Sequence, residues 1–228
     1  NNSEKVTLID NRNNYDLSTL EFHKIYSNLS NENILVSEEI EGETFKTLID
    51  KKELSYENLL KLFHIHGFYI FEIGIFHGDI HPGNIFLYSN GKIGFVDTGA
   101  ISKVKDNLKI GLYNFFKSLA YYDFAMCAYH LNQMSQIRLS EEKYRIFLEK
   151  FLLLYSDFEN ATVSEVSLTK RMMETIKLGV LNGMKFEEGM FGIIKSLMYL
   201  DGMVLSVNPN AVLVKDMRNF IKEFDLLQ

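Results

Sequence analysis

A single cysteine, Cys127, stands in 228 residues, which excludes an internal disulfide framework and suits a reducing compartment. A basic surplus is missing too. The formal net charge is −6 and no stretch concentrates Lys and Arg, whereas a binder of nucleic-acid backbone needs a concentrated basic face. Nucleic acid is therefore not an expected partner. The richest apolar stretches, Phe68 to Phe76 and Ile146 to Tyr155, contain Glu or Lys and fall short of the ~20 residues of a spanning helix. No helix is expected to cross a bilayer. The first residues do not resemble a basic, apolar secretory leader, so the sequons Asn28-Leu29-Ser30 and Asn160-Ala161-Thr162 read as chance matches. Neither an internal repeat nor a low-complexity linker is found. Apolar residues are plentiful at 46%, enough to bury a real core as one domain or as one lobe of a two-lobed fold.

The most informative stretch runs from Gly74 to Ala100, GIFHGDIHPGNIFLYSNGKIGFVDTGA. Asp79 and Asn84 stand five positions apart with Pro82 between them. Asp97 follows a short apolar run, a turn and a second apolar run. Pro82 and Gly83 are loop formers, so the segment must leave any preceding helix before Asn84. Ile85 to Leu87 and Ile93 to Val96 read as short strands joined through Ser89-Asn90-Gly91-Lys92, an Asn-Gly hairpin that would return Asp97 to the side of Asn84. Gly99 gives a position where the backbone can leave the strand sharply. A carboxylate, an amide and a second carboxylate in this order suit phosphoryl transfer. Nucleotide phosphates need hard oxygen ligands for Mg²⁺, which Asn84 and Asp97 would supply, and Asp79 would orient the attacking hydroxyl or water and accept its proton.

Two blander readings compete. His77, Asp79 and His81 at alternate positions would share one face of a strand and could chelate zinc or iron, but Pro82-Gly83 interrupt such a strand and Asn84 and Asp97 would go unexplained. A purely structural role for the constellation is the other.

On these residues the chain resembles the UbiB family of atypical kinases, also called activity-of-bc-one-complex kinases. The family's loop, Gly-Phe-Phe-His-Ala-Asp-Pro-His-Pro-Gly-Asn, is similar to Gly74 through Asn84 here. Ile34-Leu35-Val36 followed by Glu38, Glu39, Ile40 and Gly42 is similar to the family's hinge, a strand followed by Glu-x-Ile-x-Gly whose backbone would meet adenine. Asp201-Gly202 through Asn208-Pro209 resembles its late helix. The likeness runs from about Asp16 to the C-terminus. Gly78 replaces the family's Ala, Ile80 its Pro, and Thr98 the Phe after the metal aspartate; His77-Gly78-Asp79 is also the lettering of aminoglycoside and choline phosphotransferases.

The resemblance implies an α+β, mainly α-helical fold: the C-lobe of a protein-kinase-like fold with a small β-hairpin at the site. Residues 1–42 would be an N-lobe remnant and hinge strand, and residues 43–228 the helical C-lobe. It also implies Asp79 and His81 as catalytic residues, Glu38, Glu39, Asn84 and Asp97 as nucleotide-site residues, Asn84 and Asp97 as ligands of Mg²⁺, and ATP as the nucleotide. Isoprenoid lipids or quinone-pathway proteins are the implied partners, and ATP hydrolysis linked to ubiquinone biosynthesis is nearer to the family than protein phosphorylation. The location implied is cytoplasmic, with membrane association only through a full-length parent or its partners.

Such enzymes carry an N-lobe with a phosphate-covering loop and a lysine. Only 33 residues precede Ile34, too few for that lobe, and Lys92-Ile93-Gly94-Phe95 lies in the hairpin. The chain is therefore expected to be a fragment with little ATP turnover by itself. A small-molecule phosphotransferase and a pseudokinase binding module are the alternatives.

The rest reads as helical. Ser55 would cap a helix carrying Leu59, Leu60, Leu62, Phe63, Phe68, Ile70 and Phe71 inward, with His64 and His66 facing different ways. Amphipathic segments follow over Leu108 to Tyr121, Asp123 to Met134, Ser140 to Tyr155, Ser164 to Leu181, Phe186 to Val207 and Ala211 to Leu227. Met172, Met173, Met184, Met190, Met198 and Met203 are expected to fill the core, with an adaptable lipid groove as the other reading.

Overall fold

The computed structural model describes residues 18–225, so the first 17 residues of the expected N-lobe remnant and the end of the Ala211 to Leu227 segment lie outside the described residues. Chain order begins with β1 (Gly42–Thr44), α1 (Phe45–Lys51) and α2 (Tyr56–Phe68). Thr44 accepts a hydrogen bond from the Thr47 amide and Ser55 one from Asn58, so each helix starts where a side-chain oxygen satisfies an otherwise unpaired amide. The Ser55 cap is the one expected from the sequence. After Phe68 the helix widens into a π turn over Tyr69–Ile73 and stops at Gly74, whose φ of 75° lies in the left-handed region. Wide turns of this kind are uncommon and gather at functional sites.

Short strands follow: β2 (Ile75–His77), β3 (Ile85–Tyr88), β4 (Ile93–Phe95) and β5 (Ile101–Lys103). β1, β3 and β4 make one antiparallel sheet in that order, with Ile85 opposite Phe95 and Gly42 opposite Tyr88, and β2 pairs with β5. The β3–β4 hairpin forms where the sequence places it, and Gly91 takes φ 79° at its tip. The sheet continues at its β4 edge through backbone bonds between Ile93 and the Thr19–Glu21 stretch.

The body is helical: α3 (Asp106–Ala120), α4 (Phe124–Met134), α5 (Glu141–Leu154), α6 (Leu168–Leu181), α7 (Glu188–Val207), α8 (Leu213–Asp216) and α9 (Arg218–Asp225). Asp123, Ser140 and Ser167 cap α4, α5 and α6. The chain is thus mainly helical with small antiparallel sheets. α6 starts later than Ser164 because the preceding backbone is engaged elsewhere: Val163 and Ser164 donate to the Ala211 and Pro209 carbonyls. The expected last helix is split into α8 and α9.

The core joins α2 to α7 and extends through an aromatic run on α5, where the Phe151 and Tyr155 rings stack at 4.6 Å. Leu59, Leu62, Phe63, Phe68, Ile70 and Phe71 are buried as expected, and Leu60 is partly so. Met172, Met184, Met190 and Met203 are buried core, whereas Met173 and Met198 are about half exposed. By length and composition alone α7 is the one described helix that could span a bilayer; it falls on the expected Phe186 to Val207 segment, not on either of the two stretches that the sequence marks as richest in apolar residues. In this fold half of that stretch is buried, packed on α2 and α6.

Candidate functional site

The loop from Gly74 to Ala100 is assembled by hydrogen bonds between segments distant in order. Asn84 sits between Gly83 and β3. Its side-chain nitrogen donates to the Asp79 carbonyl at 3.0 Å, and its own carbonyl accepts from the Val96 amide at 3.0 Å. The first bond closes the loop around Pro82-Gly83. The second ties that loop to the residue before Asp97. Because the nitrogen end of the amide is committed, the oxygen end is the one turned away from the Asp79 carbonyl.

His77 acts as a bracket between the same parts. Its Nε2 donates to the Val96 carbonyl at 3.0 Å and its Nδ1 accepts from the Asp79 amide at 3.2 Å. Both nitrogens of this buried ring are therefore occupied. His81 Nδ1 accepts from the Gly83 amide at 3.1 Å. The sequence's alternative of a chelate built from His77, Asp79 and His81 is not formed, and among the described residues no group of three or more His, Cys, Asp or Glu side chains could hold a metal ion.

Ile80, between Asp79 and His81, is fully buried and anchors the loop in the core. Gly78 explains itself by proximity: its amide bonds the Ala100 carbonyl at 2.9 Å, and a Cβ at Gly78 would stand 2.7 Å from that oxygen. Asp97 is exposed and adopts φ 54°, ψ 57°, a left-handed conformation that costs a non-glycine residue and is enriched at functional sites.

The Asp79 carboxylate is held from the far end of the chain. Lys195 Nζ lies 3.0 Å and Tyr199 Oη 3.3 Å from its Oδ1, while His81 Nε2 stands 3.9 Å from its Oδ2. The Lys195 hydrogen bond outweighs desolvation and, with Tyr199 and His81, holds the Asp79 carboxyl below the usual carboxylate range; Asp79 in turn raises Lys195. Neither Lys195 nor Tyr199 was among the sequence candidates. Their signal is slight: Lys195 is the one basic residue of α7, with Tyr199 one turn later.

Glu38 and Glu39 lie apart from this cluster. The expected strand over Ile34–Val36 is reduced to one bridge, Ile25 to Ser37, with backbone bonds from Tyr26 to Val36 and from Glu38 to Lys24. Ile34 and Leu35 have no second strand beside them and remain exposed. The Glu38 carboxylate accepts from the Lys24 amide at 2.7 Å, so its side chain closes this small hairpin; Glu39 is exposed.

A cavity of about 400 Å³ lies next to the loop. Its lining includes Phe22, Leu35, Tyr69, Phe95, Asp97 and Thr98 but neither Asp79 nor Asn84. His66 also lines it. This ring is buried, its Nε2 is 3.0 Å from Ser196 Oγ, and Ser196 gives its own hydrogen to the Ile193 carbonyl, so His66 is the donor. Burial first, and the neighbouring His77 second, push the His66 pKa down to about 3. His64, two residues away, faces elsewhere and meets Glu223 at 2.7 Å.

Comparison with known proteins agrees with the loop's lettering. The chain is 24% identical over 207 residues to an uncharacterized protein in the hydrogenase 1 5' region of Clostridium pasteurianum, covering 85% of this chain and 37% of that protein. It is 24% identical over 231 residues to the probable protein kinase UbiB of Blochmanniella pennsylvanica, covering 97% and 42%. Over 40 residues it is 45% identical to the chloroplastic protein ACTIVITY OF BC1 COMPLEX KINASE 1 of Arabidopsis thaliana, covering 18% and 6%. The chain thus spans less than half the length of these relatives. A solved Mycobacterium tuberculosis structure, the Rv3197–erythromycin complex, superposes with a TM-score of 0.46 at 14% identity, covering 90% of this chain and 56% of that one. Residues 6–131, more than half of the chain, match the ABC1 atypical kinase-like domain, and the chain belongs to that family.

Proposed function

We propose that this chain carries the magnesium-binding and nucleophile-orienting half of an ATP-dependent atypical kinase or ATPase. One observation carries the reading: Asn84 bonds Asp79 through its side chain and Val96 through its backbone, both at 3.0 Å, so the loop of the proposed base and the turn that ends in Asp97 are held at one residue. The donor set suits Mg²⁺, an ion that takes few protein oxygens and keeps water and phosphate oxygens in its other positions. Asn84 offers an amide oxygen and Asp97 an exposed carboxylate. When bound, Mg²⁺ neutralises charge on the phosphates.

The protein's own part is positioning. The oxygen of an acceptor hydroxyl or of water would bond to the γ-phosphorus as the bond from that phosphorus to the β,γ-bridging oxygen breaks. ADP leaves with that electron pair, and the acceptor's proton passes to Asp79 and then to solvent. A carboxylate held below the usual range is a weak proton acceptor, so Asp79 orients the nucleophile first and takes its proton late. His81 stands 3.9 Å from the same carboxylate and would contact the terminal phosphate. The hinge around Glu38 and Glu39 is the proposed adenine contact. A setting in ubiquinone biosynthesis, with an isoprenoid lipid or quinone-pathway protein as partner, rests on family resemblance.

The test is calorimetric titration of Mg-ATP into the full-length protein and its Asn84→Ala and Asp97→Ala variants. Removing either oxygen ligand should cost roughly 1.5–3 kcal/mol, or about one to two orders of magnitude in affinity. Equal affinity in all three proteins, or binding indifferent to EDTA, would refute the assignment. Tight binding with turnover by residues 1–228 alone would instead contradict the expected need for a nucleotide-covering lobe.

A further inference from the structure

Asp79 Oδ1 receives two donors from α7, Lys195 Nζ at 3.0 Å and Tyr199 Oη at 3.3 Å, while Oδ2 faces the His81 side of the loop. The two donors are four residues apart, one turn of a helix, and therefore reach the carboxylate from one face. Lys195 Nζ also lies 5.7 Å above the Tyr199 ring, and the His81 ring meets that ring edge-on at 6.1 Å. Four side chains from two segments thus form one cluster centred on the Asp79 carboxylate. The fold gains little from this arrangement. The Lys195 side chain is 49% exposed, and an ion pair so open to water contributes little to stability. α7 is anchored independently by buried Ile193, Ile194, Leu197 and Leu200 on the faces between these residues. Within the loop itself, residues 74–91 contain no lysine or arginine, so the cation beside the carboxylate has to come from elsewhere in the chain.

We infer that Lys195, seconded by Tyr199, is the positioning residue for Asp79: together they fix Oδ1 and leave Oδ2 as the oxygen that meets the acceptor hydroxyl or water. The inference rests on the proposed role of Asp79. It assigns α7 a part in the chemistry that its apolar sequence does not advertise. A side chain that merely packs would be replaceable by any residue of similar length, whereas a positioning cation requires charge at that reach, which arginine supplies and methionine does not.

The experiment measures nucleotide affinity, steady-state turnover and unfolding temperature for the full-length protein and its Asp79→Asn, Lys195→Met, Lys195→Arg and Tyr199→Phe variants. Loss of a positioning interaction made for the transition state lowers kcat and leaves ground-state binding nearly untouched, so Lys195→Met should lose about tenfold or more in kcat with Mg-ATP affinity within about twofold. Lys195→Arg should recover most of that loss and Tyr199→Phe should show a smaller one, all at an unchanged unfolding temperature. Lys195→Met with wild-type kcat, a loss that arginine fails to rescue, or a loss matched by a fall in unfolding temperature would overturn the positioning role while leaving the site intact. Wild-type kcat in Asp79→Asn, or no turnover in the wild type, would instead overturn the reading of Asp79 and the inference with it.

Discussion

Residues 18–41 and residues 74–100 are of similar length and neither carries a long helix, yet they are held in different ways. In the second stretch polar groups are paired across the loop: both nitrogens of His77, the Asn84 amide and the Asp79 carboxylate all have partners. Ile80, Ile85 and Ile93 are fully buried beneath them. In the first stretch backbone bonds and local bonds to the Ser30, Asn31 and Glu38 side chains make a small hairpin, and although Leu20 is buried, Phe22, Ile25, Leu29, Ile34 and Leu35 all stay exposed. A loop that is doubly tied can hold oxygen ligands in place. A hairpin with one bridge, local bonds and an apolar outer surface has little buried contact to fix it against the body. The position of Asp97 is therefore set by the body, and the nucleotide-facing surface of the hinge is the less determined half of the proposed site.

Substitutions can sharpen or break this contrast. Ile80→Ala removes the loop's anchor and should cost about 2–5 kcal/mol of stability, read from the urea midpoint; a loss below about 1 kcal/mol would mean the loop is not held by the core. Gly78→Ala puts a Cβ 2.7 Å from the Ala100 carbonyl, a backbone atom that cannot swing aside. It should cost about 1–3 kcal/mol through displacement of the β2–β5 pair, and amide exchange along Ile101–Lys103 should quicken with it.

Acid reports on the floor of the loop. His66 is neutral when folded because its pKa is lowered to about 3 from an unfolded value of 6.5. Its contribution is therefore intact above pH 6.5 and is lost as pH falls toward 3, because the unfolded chain binds the proton first. By pH 5 the loss should reach about 2 kcal/mol, and His66→Gln should flatten that slope in denaturant titrations from pH 7 to 5. An unchanged slope would place His66 in solvent. The smallest effect is expected in the hairpin: Leu35→Ser, at a side chain 71% exposed, should change stability by no more than about 0.5 kcal/mol. A larger cost would show that the first stretch is packed after all.

Much of the fold could be read from sequence because its signals are local. Ser55 and Ser140 mark helix starts within three residues of the amides they cap, and Asn90-Gly91 sets the hairpin on which Asp97 returns. The apolar spacing of α2 marks its buried face. What could not be read depends on distance in sequence. Lys195 and Asp79 are 116 residues apart, and Ser196 and His66 are 130 apart, so no spacing rule joins them. The late start of α6 has the same cause, since bonds from the Val163 and Ser164 amides to the Ala211 and Pro209 carbonyls tie that stretch to a distant segment, and the helix begins only after the Ser167 cap. The expected strand over Ile34–Val36 failed for a complementary reason: its letters suit a strand, but a strand needs a neighbour and only one bridge is available. The extent of α7 is legible as the Phe186 to Val207 segment, but its largely apolar character is less so, because Lys195 and Asp201 interrupt its apolar letters while the helix runs on through both.

The central claim is that Asn84 and Asp97 serve one cation together, and a double-mutant cycle on Mg-ATP affinity tests it most directly. Kd would be measured for the full-length protein, Asn84→Ala, Asp97→Ala and the double variant. Two ligands of one ion should give non-additive losses, with a coupling of at least about 1 kcal/mol and a double variant little worse than the poorer single one. Losses that simply add, or variants that bind Mg-ATP as tightly as the wild type, would contradict it.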